Sequence, residues 1–314
     1  MTTLADPTLA TSRADRSQLR SAKTSRGVVA TVALLPFVAF LLVFAVYPLI
    51  NLVRLAVSQT TVQNAVFVSE FVGLTNFGRV VTDPVVQHSV LITTAFVVLT
   101  VGITLVAGLA LALLVDRAVL LHHLARNVLI WPAVITPVVV SVLWLLVLSP
   151  TVGGLNKVLD TLGLPQQSWL NSGLGAFMSV VAVDVWHWTP IVFLFLYTAL
   201  KGIPSDLFEA ARVDGATERQ ILFQVTIPLL VPAVAVVGLL RLVMSVKAFD
   251  EMFLLTGGGP NGATNLISLD IRSQFFDRLD FGFAAAESVT VVLVTLIIVG
   301  GALLLRRRIA AGAS

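Results

Sequence analysis

Apolar and polar positions separate into long blocks along this chain. Six apolar segments stand out: Val28 to about Val53, Ser89–Val115, Asn127–Leu148, about Leu174–Leu200, about Pro228–Leu255 and Ser288–Leu305. The first stays uncharged as far as Arg54, and the sixth ends on Arg306-Arg307-Arg308. A helix needs about 20 residues to cross about 30 Å of hydrocarbon, and each segment is near or above that length. None alternates with period 2. Lipid admits only helices or closed barrels, because every backbone polar group must find its partner inside the protein. The pattern predicts an all-α integral membrane protein with six transmembrane helices. Residues 1–26 are polar and poor in apolar side chains, so they are expected to form a disordered arm. The expected division is an arm over 1–26, a six-helix domain over 27–308 and a short tail over 309–314.

Composition narrows the classes. Of 314 residues, 57% are hydrophobic and only 12% are charged, so one water-soluble core could not hide them. There is no cysteine, which excludes disulfides, thiolate metal sites and cysteine nucleophiles. The four histidines, His88, His122, His123 and His187, have no metal-ligand spacing. The net charge of +3 comes from basic residues scattered between apolar spans, a membrane pattern and not a nucleic-acid footprint. The first apolar stretch runs into Tyr47-Pro48 without a small-residue cleavage site, so it does not read as a removable signal peptide. With the N-terminus inside, thirteen Lys and Arg fall on the inner side and four on the outer. That bias places both termini in the cytoplasm.

The stretch 203–227 between the fourth and fifth segments carries the strongest local signal. Ser205 can cap a short helix, with Asp206 and Glu209 in its first turn. Ala210 and Ala211 are small enough for another surface to approach closely. Gly215 permits a chain reversal. Pro228 stands near the start of the next helix, where its missing N–H costs little. The product is a compact helix-turn-helix, shaped like a docking knob.

This loop resembles the EAA loop of ABC importer permeases. That signature is Glu-Ala-Ala, three residues, Gly, nine residues, an apolar residue, one residue, an apolar residue and Pro. Glu209-Ala210-Ala211, Gly215, Val225, Ile227 and Pro228 fall on it. Further stretches resemble the carbohydrate permeases of the maltose and glycerol-phosphate type. They are Phe71-Val72-Gly73-Leu74-Thr75-Asn76-Phe77, Trp186-His187-Trp188-Thr189-Pro190, Phe249-Asp250-Glu251 and Leu255-Thr256-Gly257-Gly258-Gly259-Pro260. The resemblance implies a six-helix permease paired with a second, homologous permease. It also implies two cytoplasmic ATPase subunits and an extracytoplasmic solute-binding lipoprotein. In that family the loop is the coupling helix that docks on the ATPase, which assigns Glu209, Ala210, Ala211, Asp214 and Gly215 to coupling. No GxxxxGK[ST] occurs in the chain, so ATP and Mg are expected in the partner ATPase and no cofactor in this chain. The implied activity is uptake of a sugar or sugar-like solute across a prokaryotic cytoplasmic membrane by alternating access, with no catalysis in this chain.

Polar residues inside the spans are the candidate solute contacts. Asp184 lies about 24 Å from the inner end of the fourth segment. Asp184, His187, Trp188 and Ile191 follow i, i+3, i+4, i+7 spacing and share a helix face. Carboxylates accept hydrogen bonds from hydroxyls, and indoles pack on pyranose C–H surfaces, so this face suits a sugar. In the maltose-type permeases the corresponding face touches substrate. The other reading of Asp184 is a structural pair with Arg241 or with the second permease. Trp186 and Trp188 can equally be interface anchors, and His187 a hydrogen-bonded core residue. Arg241 lies about 20 Å into the fifth segment and reads as pathway lining or an ion-pair partner. Lys247, with Asp250 at i+3 and Glu251 at i+4, is expected to form an intrahelical pair. Ser245 and Lys247 also stand where the family places polar pathway residues. The Gly257–Gly262 cluster reads as a turn in an outer loop, since no Lys-Ser/Thr follows to make it a phosphate loop. A proton- or sodium-coupled secondary transporter, with Asp184, His187 and Arg241 as a relay, is the rival reading. It leaves the EAA loop unexplained.

Overall fold

The computed structural model describes residues 33–63, 66–117 and 131–312. The expected arm over 1–26, His122 and His123 lie outside them. Helix α1 spans Ala33–Ala56 and runs into a hairpin of β1 (Ser58–Gln63) and β2 (Val66–Phe71). Then come α2 (Thr75–Thr82), α3 (Pro84–Arg117), α4 (Pro137–Val147), α5 (Gly154–Thr161) and α6 (Gly173–Lys201). The chain ends with α7 (Ser205–Val213), α8 (Glu218–Val246), α9 (Asp250–Leu255), α10 (Ile267–Arg272) and α11 (Phe281–Gly312). Among the described residues, α1, α3, α6, α8 and the Phe281–Leu304 part of α11 are long and apolar enough to cross a membrane.

Two of the expected segments end differently. The third is not one continuous helix. Residues 131–134 are helical, the chain then breaks, and α4 has only 11 residues. Pro137 is the cause: its ring disfavours the helical region for the preceding residue, and Thr136 is extended at φ −68° and ψ 146°. The fifth stops at Val246, well before Leu255. Phe249 sits at φ −142°, and Asp250 opens a separate short helix. Lys247 and Glu251 therefore do not share a helix, and the expected intrahelical pair does not form. Glu251 turns instead to His187.

Buried hydroxyls on α3 are satisfied within their own helix, as a nonpolar surrounding demands. Thr93, Thr100 and Thr104 donate to the carbonyls of Ser89, Phe96 and Thr100 at 2.7, 2.8 and 2.6 Å. The central helix is α6, which packs closely along α3. A Cβ on Gly108 would lie 2.6 Å from Val192 Cγ1, so only glycine allows that approach. One apolar cluster gathers Phe96, Val140, Val180, Val183, Met252 and Leu266; a second, farther along α6, gathers Ala112, Val192, Phe193, Leu196 and Val237.

The two ends of the bundle differ. At one end the hairpin is tied down by Asn76, whose Nδ2 donates to Ala56 O and Ser58 O at 3.0 Å each. The head of α11 presses on the same strand: a Cβ at Gly282 would sit 2.1 Å from Ser58 O. Arg79 and Asp280 pair there at 2.8 Å. At the other end α3 and α6 finish side by side, joined by Lys201 and Asp116 at 2.6 Å, with α7 beyond them.

Candidate functional site

The 203–227 loop folds as a helical hairpin of α7 and the first turn of α8. Ser205 is not its cap. Pro204 takes the N-cap position with no side-chain bond, and Ser205 is the first helical residue. The end of α7 is better defined. Gly215 adopts φ +81°, its N–H donates to Arg212 O at 3.1 Å, and the Ala216 N–H donates to Ala211 O at 2.9 Å. This is a Schellman ending, which satisfies carbonyls the helix would leave open and requires the left-handed residue that glycine supplies. Thr217 then starts α8 with a capping box. The Thr217 N–H donates to Gln220 Oε1 at 2.8 Å, and Gln220 N–H donates back to Thr217 Oγ1 at 3.4 Å. Arg212 bridges the two arms to Glu218 at 3.0 Å.

Nothing in α7 is buried. Glu209, Ala210, Asp214 and Gly215 are exposed and Ala211 is half-buried. Val213 is 88% exposed, and Leu207 is exposed as well. An unburied helix showing apolar and acidic side chains lacks the packing that would hold it in an isolated subunit. Phe208 is its half-buried tether, in a polar cleft with Asp116, Arg117, Arg212 and Glu218.

The second assembly lies inside the bundle. Asp184, fully buried on α6, accepts a hydrogen bond from Arg241 Nη2 on α8. Arg241 Nη1 donates to Ser245 Oγ at 2.7 Å, and Ser245 meets Thr100 of α3 at 3.1 Å. The Trp188 ring lies 5.5 Å from the Arg241 guanidinium, within cation–π range. One helical turn from Asp184, His187 Nδ1 is 2.8 Å from Glu251 Oε1 and Nε2 is 3.2 Å from Ile135 O. The Ile135 carbonyl belongs to the break before Pro137, so the broken segment is held by a side chain of α6. The Asp184–Arg241 and His187–Glu251 pairs are both buried, with every side chain of the four at most 5% exposed.

The structure thus brings Asp184, His187, Trp188, Arg241 and Ser245 together, with Ile191 half-buried one turn farther along. The structural pairing of Asp184 with Arg241, one of the two readings its position allowed, is present. Lys247 is elsewhere: it lines a cleft with Phe249, Ser268 and Ser288 between α8 and α11. Glu251 and Thr100 complete the cluster and were not singled out for it. Their partners lie 64 and 145 positions away, beyond any local pattern. Trp186 packs edge-on against Trp144 at 5.6 Å.

Comparison with known proteins identifies the family and the fold. The trehalose/maltose transport system permease protein MalF of Thermococcus litoralis is 32% identical over 264 residues, covering 83% of this chain and 88% of that protein. The sn-glycerol-3-phosphate transport system permease protein UgpA of Agrobacterium fabrum is 34% identical over 245 residues, covering 76% and 82%. Among solved structures, a chain of a bacterial ABC transporter involved in import of the acidic polysaccharide alginate shares the fold. Its TM-score is 0.81 at 23% identity, covering 92% of this chain and 98% of that one. Residues 104–311 match the family described as binding-protein-dependent transport system inner membrane components. On that match and on the length of its likeness to both permeases, the chain belongs to this family of multi-pass inner-membrane transport subunits.

Proposed function

We propose that this chain is the permease subunit of an ATP-binding-cassette importer for a sugar or sugar-like solute. Both termini and the 203–227 loop then face the cytoplasm. The observation that carries the reading is the unburied α7, closed by its own Schellman ending and bearing Glu209-Ala210-Ala211. A partner ATPase, present in two copies and holding ATP and Mg, would cover it. Closure of the ATPases would push on the hairpin and, through Phe208 and the Lys201–Asp116 pair, on α3 and α6. A second, homologous permease would cover part of the apolar surface left bare on α1, none of whose most apolar stretch is buried. An extracytoplasmic solute-binding lipoprotein would deliver solute at the opposite end, where β1 and β2 lie.

The named cargoes of the relatives, trehalose/maltose and glycerol 3-phosphate, support a polyhydroxylated solute. Trp188 and Ile191 would form the solute-facing edge of the α6 face, with Asp184, His187, Arg241 and Ser245 fixing it from behind. Lys247 would offer a cationic contact in the neighbouring cleft. Only differential contacts with the inward- and outward-open states can couple ATP to this movement.

The test is uptake of labelled maltose and glycerol 3-phosphate by proteoliposomes holding the chain with its co-purifying ATPase, second permease and binding protein. Uptake of one solute should require ATP and the binding protein. Uptake that persists without the ATPase and collapses with the proton gradient would overturn the reading. Glu209→Lys should abolish ATP-driven uptake while leaving the subunit folded, since an exposed substitution of this kind changes stability by within about 0.5 kcal/mol.

A further inference from the structure

At the hairpin end, three polar side chains with no part in the reading above meet away from water. Glu287, in the second turn of α11, is fully buried. Asp270 on α10 and Gln274, one turn after it, are 2% and 3% exposed. Four of their polar atoms lack a hydrogen-bond partner: both oxygens of Glu287, Oδ2 of Asp270 and Nε2 of Gln274. Asp270 is in direct side-chain interaction with both Glu287 and Gln274. Buried polar groups are almost always paired, and two facing carboxylates in a dry site repel each other.

One proton turns the repulsion of the two carboxyls into a hydrogen bond. Protonated Glu287 donates from one oxygen to Asp270, which also interacts with Gln274. We propose that Glu287 and Asp270 bind one shared proton at neutral pH and that this pair fastens α10 to the head of α11.

The surroundings decide which carboxyl keeps the charge. Arg278 acts on Asp270, while Asp83, before α3, adds negative charge near both acids. Burial holds the Asp270 carboxyl above its ordinary range. Glu287 has no cation of its own, so it carries the proton and Asp270 the charge. The other charged groups on the surrounding elements are engaged elsewhere: Arg79 with Asp280, Arg272 with Asp277, and Arg54 in a cleft beside Phe275 and Phe281. His88 on α3 meets Gly262 O at 3.3 Å. The folded chain then holds one proton more at neutral pH than the unfolded chain, whose free carboxyls ionise near pH ~4. That contribution to stability is complete below this pH and is lost as pH rises through the titration of the folded pair.

Infrared spectroscopy of the full chain in nanodiscs, with its co-purifying subunits retained, reads the proton directly. At neutral pH the wild type should show a protonated-carboxyl component that Glu287→Gln lacks. The amide introduced by Glu287→Gln can donate to Asp270 as the acid does. The variant should therefore unfold near the wild-type temperature at neutral pH and lose the alkaline decline that the wild type shows. Should Glu287→Gln fail to assemble, Asp270→Asn must shift the Glu287 band. Identical carboxyl bands in wild type and Glu287→Gln would overturn the proposal. So would a wild-type unfolding temperature that rises with added Na⁺ or Ca²⁺ and a variant that does not respond, since the occupant would then be a metal ion.

Discussion

The α7–α8 hairpin and the buried cluster between α6, α8 and α9 use the same chemistry in opposite surroundings. Each contains an Arg–carboxylate pair and a set of side-chain hydrogen bonds. In the hairpin the bonds join close neighbours: Thr217 with Gln220, Ala216 with Ala211, Arg212 with Glu218. In the cluster they join residues 52, 57, 64 and 145 positions apart. The hairpin is wet, with Arg212 and Glu218 side chains 55% and 63% exposed; Arg241 and Asp184 are at 2% and 1%. Water makes the first pair nearly neutral in energy. Its absence makes the second one costly to break, though not necessarily favourable to possess. The exposed hairpin is therefore held by its own short-range bonds, whereas the bundle beside it is tied across its helices.

The contrast can be broken most sharply at Asp184. Replacing it with Ala leaves the Arg241 guanidinium buried without its counter-charge, and we expect a loss of about 3–5 kcal/mol. Thermal unfolding in nanodiscs measures it. The double variant Asp184→Leu with Arg241→Leu should recover most of that loss; equal losses in the single and double variants would show that packing, not charge, joins α6 to α8. Gly215→Val comes next. A β-branched residue at φ +81° should cost about 1–2 kcal/mol, visible as faster protease cleavage within residues 205–226 with the bundle intact. Thr217→Ala removes the cap of α8 and should cost about 1 kcal/mol, read as faster hydrogen exchange at residues 218–220. The smallest effect belongs to Arg212→Ala, about 0.5 kcal/mol and screened away by salt. A larger or salt-independent loss there would mean that the hairpin is not solvated as described.

The same contrast explains which features could be read along the chain. Apolar run length located α3 and α6 to within about five residues at either end, because covering a helix in hydrocarbon is a local requirement. Gly215 announced the end of α7 for a local reason too. The Thr217-Glu218-Arg219-Gln220 box was equally legible, as a Thr followed three positions later by Gln, yet Ser205 drew the attention as a cap. Pro137 carried the signal for the break in the third segment. What hid the break is that a proline near a helix start and a proline that interrupts a helix look alike until the preceding residue's conformation is seen. The end of α8 at Val246 had no such marker. Charges at Lys247, Asp250 and Glu251 fit a helix by spacing, and only the approach of His187 from α6 shows why the chain turns there.

Composition, the lengths of apolar runs and the spacing from Glu209 to Pro228 were enough to indicate a membrane-embedded helical transport subunit with an exposed helical hairpin. These depend on residues near one another in the chain and on the solvent around them. The pairing of Asp184 with Arg241, of His187 with Glu251 and of Asp270 with Glu287 was decided by the tertiary structure alone. Each requires two separate helices to face each other in a particular rotation, and helical periodicity states which residues share a face but not which face another helix will meet.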